Sequence, residues 1–172
     1  MDLGSYETLQ LEQHGAALTV TVNRPEALNA LAGAVVRDLT EPTSRLSALG
    51  HDGEWPVRGV ILTGAGEKSF VAGADIVEMN AMDAAEATAY GQAMHRVTLA
   101  LEGLPVPVIA AVNGFALGSG YELALACDIR IAAEGAKFGS PEARVSSSVT
   151  GGAMRLVQDL VGPGKAQELL FT

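Results

Sequence analysis

The chain contains the segment Val112-Asn113-Gly114-Phe115-Ala116-Leu117-Gly118-Ser119-Gly120-Tyr121-Glu122, in which three glycines separate an apolar run from a helix-forming run. The apolar run at 106–112 predicts a short buried strand, and the run at 121–127 is rich in residues that favour helices. Glycines in such a turn let the backbone approach a ligand, and the unpaired N–H groups of a helix start stabilise negative charge. The segment therefore predicts a strand-to-helix turn that can hold an oxyanion.

Three better-known glycine motifs do not fit this spacing. The dinucleotide fingerprint needs a third glycine where Leu123 stands, and the nucleophile elbow needs glycines two residues to either side of Ser119. A P-loop needs a Gly-Lys-Ser/Thr triplet, which the segment lacks. Glycine-rich turns of this kind are also common in α/β proteins without any chemistry, so the turn alone leaves a purely structural interpretation open.

Residues 110–128, followed by Phe138-Gly139-Ser140-Pro141-Glu142, resemble the crotonase (enoyl-CoA hydratase/isomerase) superfamily, and most closely an enoyl-CoA hydratase. Two upstream segments, 23–31 and 70–76, occur in the family's order and at similar spacing, so the resemblance covers nearly the whole chain. It implies an α/β fold, a spiral of repeated strand-strand-helix units that forms a single domain over 1–172. The usual C-terminal helical cover is expected to be missing, and a protein ending at Thr172 is expected to be poorly stable or to self-associate.

Composition excludes several classes of partner and site. Hydrophobic residues make up 48% of the 172 residues but aromatic residues only 5%, which suits layered α/β packing. The net charge of -9 argues against nucleic acid and anionic membranes as partners. The single cysteine, Cys127, excludes an intramolecular disulfide, and no two histidines have the spacing of metal ligands. Without a secretory signal or a membrane-spanning run, the cytoplasm is the expected location.

Hydrophobic spacing predicts most of the secondary structure. Strands are predicted at 6–11, 16–22, 57–63, 106–112 and 128–132, and helices from 28 to Pro42, at 83–104, 121–127, 153–161 and from 165 to 171. Asp75 is expected to cap a helix, and Asp83 with Glu86 is typical of a capping box. The run Ser146-Ser147-Ser148 is polar where the family is often apolar, so we interpret it as a flexible loop that alters the acyl pocket.

Glu122 and Glu142 are the candidate catalytic residues. A glutamate without context is usually a solvated charge, but the resemblance implies that these two hold one water, which adds across the double bond of a 2-enoyl-CoA thioester. Two carboxylates around one water raise each other's pKa, so one ionised base and one protonated acid are favoured. The sequence leaves open which glutamate begins protonated.

The resemblance also implies the binding groups. The backbone N–H groups of Ala74 and Ser119 are the implied oxyanion donors, with serine standing where family members usually have glycine. Arg24 and Lys68 are candidate partners for coenzyme A phosphates. The full set of implied substrate contacts is Ala27, Leu28, Lys68, Ala72, Ala74, Asp75, Ile76 and Gly118. No metal is expected, and coenzyme A enters as part of the substrate rather than as a cofactor.

The expected activity is that of a lyase in fatty acid (lipid) metabolism, an enoyl-CoA hydratase that acts on an acyl-CoA thioester. By the resemblance, it is a homotrimer or a dimer of trimers. An isomerase would typically keep a carboxylate at Glu142 but not at Glu122, so retention of both favours hydration. An acyl-CoA hydrolase and a non-catalytic acyl-CoA-binding subunit remain alternatives.

Overall fold

The computed structural model describes residues 4–49, 57–145 and 147–172. The strands are β1 (Leu9–His14), β2 (Ala17–Val22), β3 (Gly59–Gly64), β4 (Ser69–Val71), β5 (Val108–Val112), β6 (Phe115–Leu117), β7 (Ile129–Ala132) and β8 (Lys137–Gly139). The helices are α1 (Gly33–Leu49), α2 (Ile76–Ala81), α3 (Ala84–Glu102), α4 (Ser119–Ala126), α5 (Ala153–Val161) and α6 (Pro163–Phe171). None of the helices in these ranges has the length and apolar character needed to cross a bilayer.

The strands form two sheets that share one repeating pattern. The larger sheet has the order β1-β2-β3-β5-β7, in which the first pair is antiparallel and all others are parallel. The smaller sheet is parallel with the order β4-β6-β8. From β3 onwards, each successive pair of strands gives its first strand to the larger sheet and its second to the smaller, and a helix or 3-10 helix follows. This arrangement confirms the α/β spiral of strand-strand-helix units.

The core lies between the larger sheet and the helices α1 and α3. Alternate residues of β2, β3 and β5 are buried, as expected for strands with one covered face. In α3 the side chains of Met94, Val97 and Leu101 are buried, and the predicted capping box forms between Asp83 and Glu86. Buried core residues from these elements include Leu18, Val20, Val22, Val35, Leu39, Val60, Leu62, Met94, Val97, Leu101, Val108 and Ala110.

The glycine-rich segment contains a strand that hydrophobic spacing did not predict. Residues 115–117 pair in parallel with both β4 and β8, and the N–H of Phe115 donates to the carbonyl of Lys68 at 3.0 Å. Hydrophobic spacing also did not predict β8 or the short 3-10 helix at Pro141–Arg144. Strands of three residues carry too little periodicity to be recognised, because their stability comes from pairing with distant strands.

The helix predicted to begin at Leu28 begins instead at Gly33. A 3-10 helix at Pro25–Ala27 leads into Leu28 and Asn29, whose φ angles of 52° and 57° are left-handed. The buried Asn29 side chain holds this turn, since its amide donates to the carbonyls of Ala65 at 3.0 Å and Ser69 at 2.8 Å. Side-chain bonds across the fold have therefore overridden the local helical pattern.

The prediction that Pro42 ends or restarts the first helix is also wrong, because α1 continues to residue 49. Pro42 is buried, and the hydroxyl of the buried Thr43 donates to the carbonyls of Leu39 at 2.8 Å and Thr40 at 3.0 Å. Packing of the buried Pro42 thus offsets the loss of the backbone hydrogen bond that proline cannot donate.

Gly120 provides a stability test of the contact between α4 and β4. A Cβ at Gly120 would lie 1.9 Å from the carbonyl oxygen of Val71, so Gly120→Ala must displace backbone. We expect it to lower the free energy of unfolding by roughly 3 kcal/mol, measured by urea denaturation. Gly91→Ala is the matched control: a Cβ there meets no described atom within 4 Å, so the change in α3 should stabilise by about 0.5–1 kcal/mol. Equal effects of the two substitutions would contradict this packing.

Candidate active site

Two backbone segments meet at the carboxyl ends of β4 and β6. Gly118, which precedes α4, has φ 51° and ψ −121°, and Gly73 has φ 103°; glycine adopts both conformations without strain. A Cβ at Gly118 would lie 3.8 Å from the Cα of Gly73, so the two glycines are in contact. Ala74 and Ser119 are the residues that follow these two contacting glycines.

The N–H groups of Ala74 and Ser119 are not used by the neighbouring backbone pairing. In the bridge between Leu31 and Ala74, Leu31 donates to the carbonyl of Gly73 at 2.8 Å and Asp75 donates to the carbonyl of Leu31 at 3.2 Å. This parallel pattern directs the N–H of Ala74 away from Leu31. Ser119 is the first residue of α4, where N–H groups have no partner within the helix. Two such donors together can bind a developing negative charge.

Glu122 lies in the first turns of α4 with its side chain inside the fold and only 1% of the residue exposed. Its Oε1 accepts a hydrogen bond from the N–H of Thr150 at 2.8 Å, and the Thr150 hydroxyl lies 3.0 Å from both carboxylate oxygens. Burial raises the pKa of Glu122, and the charge of Glu142 raises it further. The two hydrogen bonds from Thr150 lower this pKa.

Glu142 reaches the same place from the 3-10 helix that follows β8. Its Oε1 lies against Gly118, where a Cβ would come within 2.7 Å of that oxygen. Its Oε2 is buried and has no hydrogen-bond partner in the described part of the chain, and burial raises the pKa of this carboxyl. A buried polar atom without a partner costs about 1–3 kcal/mol, which is characteristic of an atom that binds a ligand or carries a proton.

The structure thus brings together Ala74, Gly118, Ser119, Glu122 and Glu142, all of which the sequence identified. The two glutamates are twenty positions apart in the sequence, yet the charge of Glu142 raises the pKa of Glu122. The arrangement can bind a polarised carbonyl oxygen at the two N–H groups while two carboxyl groups move protons beside it.

Asp75 and Arg24 are bound to each other. The Asp75 Oδ1 accepts from the N–H groups of Val77 at 3.2 Å and Glu78 at 3.3 Å, which confirms the predicted helix cap. The Asp75 Oδ2 lies 3.2 Å from the Arg24 guanidinium, which also donates to the carbonyl of Ala30 at 2.9 Å. These contacts give Arg24 a structural role in joining the turn before α1 to the cap of α2.

The other implied substrate contacts border the same region. The N–H of Ala72 donates to the carbonyl of Leu28 at 3.2 Å, while the side chains of Leu28 and Ile76 are exposed. Ala27 ends the 3-10 helix beside Leu28. Lys68 is exposed and lines a cavity of about 340 Å³ together with Pro25, Asn29, Ala65, Gly66, Glu67 and Ser69.

A larger groove of about 890 Å³ lies elsewhere, between α1, α2 and α3. Neither glutamate lines it, although Tyr90 on its wall is close enough for the charge of Glu122 to raise the pKa of the Tyr90 hydroxyl. Tyr90 is on its wall, and the Tyr90 hydroxyl donates to the carbonyl of Leu31 at 2.6 Å. Within the described ranges, no three His, Cys, Asp or Glu side chains are grouped as metal ligands.

Sequence reasoning missed Thr150, which makes three contacts with Glu122. The two glycines that follow it have φ angles of 58° and 80°, which lets the chain turn over Glu122 before α5. A Thr-Gly-Gly run identifies a turn but does not identify what the turn covers. Of the predicted serine loop, Ser146 lies outside the described residues, and Ser147 donates its N–H to the carbonyl of Glu142 at 3.0 Å.

Comparison with known proteins connects this geometry to one family. Residues 12–172 match the family model described as enoyl-CoA hydratase/isomerase. The chain is 48% identical over 162 residues to a short-chain-enoyl-CoA hydratase of Clostridium acetobutylicum, covering 94% of this chain and 60% of that protein. It is 43% identical over 168 residues to a crotonyl-CoA hydratase of Syntrophomonas wolfei, covering 98% and 63% respectively.

Solved structures agree. An enoyl-CoA hydratase from Bacillus anthracis superposes with a TM-score of 0.91 at 36% identity, covering 96% of this chain and 63% of that one. The chain therefore spans about three-fifths of the length of the relatives that it matches.

The buried charge of Glu122 predicts a pH-dependent effect on stability. Its folded-state pKa is raised, so the stability present at low pH is lost as the pH rises through that pKa. Glu122→Gln removes the charge, and its melting temperature should exceed that of the wild type more at pH 8 than at pH 4.5. Each kcal/mol corresponds to about 2–4 °C in a chain of this size, measurable by calorimetry. A difference independent of pH would contradict burial of an ionisable group at this position.

Proposed function

Because this chain belongs to the enoyl-CoA hydratase/isomerase family, we propose that it adds water across the double bond of short 2-enoyl-CoA thioesters. Glu122 and Glu142 are the proposed acid/base pair, and the N–H groups of Ala74 and Ser119 the proposed oxyanion hole. The observation that carries the proposal is the meeting of two carboxyls with raised pKa and two unused backbone donors at one place. The printed names of two relatives, which specify short-chain and crotonyl substrates, support a short acyl chain.

The chemistry requires this combination of groups. Conjugation to the thioester carbonyl makes the β-carbon electrophilic, and the electron pair displaced by water ends on the carbonyl oxygen. Two backbone donors aimed at that oxygen stabilise the resulting enolate, with roughly 10²-fold or more in rate for each donor. Since the donors are backbone groups, a serine at Ser119 performs this task as well as the family's usual glycine.

The hydrogen bonds favour one division of roles. Glu122 receives two donors from Thr150, which stabilise its ionised form, so we assign it as the base that takes a proton from the attacking water. The buried Oε2 of Glu142 receives none within the described chain, which favours the protonated form, so we assign Glu142 as the acid that protonates the α-carbon. After the water oxygen has bonded to the β-carbon, a proton returns from Glu122 to Glu142 through solvent and restores the site.

Other family reactions have weaker support. A double-bond isomerase typically keeps the carboxylate at Glu142 but not at Glu122, whereas this chain retains both and buries Glu122 almost completely. A hydrolase or a silent acyl-CoA-binding subunit would not need a second carboxyl beside the first.

The proposed mechanism uses no metal and no cofactor, and coenzyme A is part of the substrate. The proposed contacts with the substrate and its coenzyme A portion are Ala27, Leu28, Lys68, Ala72, Ala74, Asp75, Ile76 and Gly118.

We further propose that the protein acts in fatty acid metabolism in the cytoplasm, as one domain that assembles into a homotrimer or a dimer of trimers. The substrate class supports the metabolic assignment. Apolar side chains exposed on α5 and α6, among them Met154, Leu160 and Phe171, support self-association, since patches of this kind usually mark contact surfaces.

Replacement of either catalytic glutamate by glutamine tests the mechanism. Glutamine preserves shape and most hydrogen bonding but cannot exchange a proton, so kcat for crotonyl-CoA hydration should fall about 10²- to 10⁴-fold with little change in KM. The double variant should be barely worse than the worse single variant, since the two residues act on one water. Loss of the ultraviolet absorbance of the conjugated thioester gives the rates, with the variants assayed at higher enzyme concentration than the wild type.

The matched control is Glu134→Gln, which removes a carboxylate from an exposed turn and should leave the rate unchanged. Near-full hydration by Glu122→Gln would rule out the two-carboxyl mechanism. Double-bond isomerisation that survives in Glu122→Gln but not in Glu142→Gln would establish the one-base isomerase instead. No turnover by the wild-type chain, with retained binding of an acyl-CoA, would favour the silent subunit.

Ser119→Ala tests the backbone assignment of the oxyanion donor. If the donor is the N–H, removal of the hydroxyl should change kcat by no more than about tenfold, or ~1.4 kcal/mol. Steady-state kinetics with crotonyl-CoA measure this change. A much larger loss, not recovered in Ser119→Gly, would mean that the hydroxyl itself takes part in the reaction.

A further inference from the structure

We propose that Thr150 is a positioning residue, whose hydroxyl holds the Glu122 carboxylate in the orientation and charge state needed to accept a proton from water. This inference rests on the proposed hydration, in which Glu122 is the base. It assigns a task to a loop residue that no sequence pattern had distinguished.

The first argument is geometric. The N–H of Thr150 donates to Oε1 of Glu122 at 2.8 Å, and the hydroxyl oxygen of the same residue is 3.0 Å from Oε1 and from Oε2. A single backbone donor would leave the carboxylate free to rotate about its terminal bond. Contact of the hydroxyl with both oxygens adds a second fixed point, and only serine or threonine can supply it while the backbone bond remains.

The second argument is electrostatic. Glu122 is almost completely buried, so its negative charge depends on neighbouring groups rather than on water. Glu142 opposes that charge, and His95 on α3 favours it. Tyr90, also on α3, lies close enough for Glu122 to raise its pKa. The hydrogen bonds from Thr150 are the contacts that directly stabilise the ionised carboxylate, and both lower the pKa of Glu122.

The third argument concerns how the chain presents Thr150. The next residue, Gly151, has φ 58°, and a Cβ there would lie 2.7 Å from Oε2 of Glu122. The glycine therefore lets the loop close on the carboxylate without a clash. Thr150 itself is exposed, so its side chain contributes little to apolar packing, and the part of it that contacts the site is the hydroxyl.

Thr150→Val is the decisive variant, because valine keeps the shape and the backbone N–H and removes only the hydroxyl. Thr150→Ser restores the hydroxyl, and Thr88→Val, in an exposed position on α3, is a matched control that loses a hydroxyl bonded to the carbonyl of Ala84. The titration of Glu122 is followed by NMR in the full chain labelled with ¹³C at glutamate carboxyls, with its signal identified by its loss in Glu122→Gln. The pH profile of kcat for crotonyl-CoA is measured in parallel.

We expect Thr150→Val to titrate Glu122 at higher pH than the wild type and to lower kcat at pH 7 about tenfold, with KM within about twofold. Thr150→Ser should restore both values, and Thr88→Val should match the wild type. A Thr150→Val protein that titrates Glu122 as the wild type does would overturn the proposal, as would equal losses in the valine and serine variants. If Thr150→Val does not fold, Thr150→Ala, which also keeps the N–H, decides by the same titration.

The titration separates this inference from the proposed function. A wild-type chain without hydration of crotonyl-CoA would refute the function, while the NMR result would still decide whether the hydroxyl controls the charge of Glu122. A wild-type chain that hydrates crotonyl-CoA, with an unchanged titration in Thr150→Val, would refute the inference alone.

Discussion

Direct contact between the backbones of α4 and β4 is the constraint on which the site depends. The helix lies so close to the strand that a Cβ at Gly120 would be 1.9 Å from the carbonyl oxygen of Val71. Gly114 is equally restricted beside Lys68, where a Cβ would lie 2.2 Å from the carbonyl oxygen. Because no side chain separates these segments, the carboxyl ends of β4 and β6 lie close together. Ala74 and Ser119 follow these two strand ends.

The same close packing buries the carboxyl groups, which disfavours their ionised forms and raises their pKa. Raised pKa values suit groups that exchange protons near neutral pH. Glu122 enters the fold from α4 and is surrounded by protein, and the Glu142 carboxyl lies against Gly118. Burial raises the pKa of both carboxyls, and the charge of Glu142 raises that of Glu122 further. A fold selected for stability alone would not place two carboxyls with raised pKa together and leave the buried Oε2 of Glu142 without a partner in the described part of the chain. The stability lost here is consistent with a site built for proton transfer.

The two-sheet spiral explains why these residues come from distant parts of the sequence. Each unit passes from the larger sheet to the smaller one and then into a helix, so the ends of β4, β6 and β8 align. Ala74 follows the first of these strands, Ser119 the second, and Glu142 the third. Because the smaller sheet is parallel, each turn of the spiral places one group of the proposed mechanism at the same edge of this sheet.

Much of this could be inferred before any coordinates. Periodicity located α3, α5 and the strands of the larger sheet, and the capping residues Asp75 and Asp83 were evident, because these features depend on neighbours in the chain. Resemblance of motifs identified the two glutamates and the two N–H donors. The three-residue strands, the left-handed turn at Leu28, the passage of α1 through Pro42 and the contact of Thr150 with Glu122 required the tertiary structure. Each of these depends on hydrogen bonds or packing between residues far apart in sequence, and local patterns carry no record of such contacts.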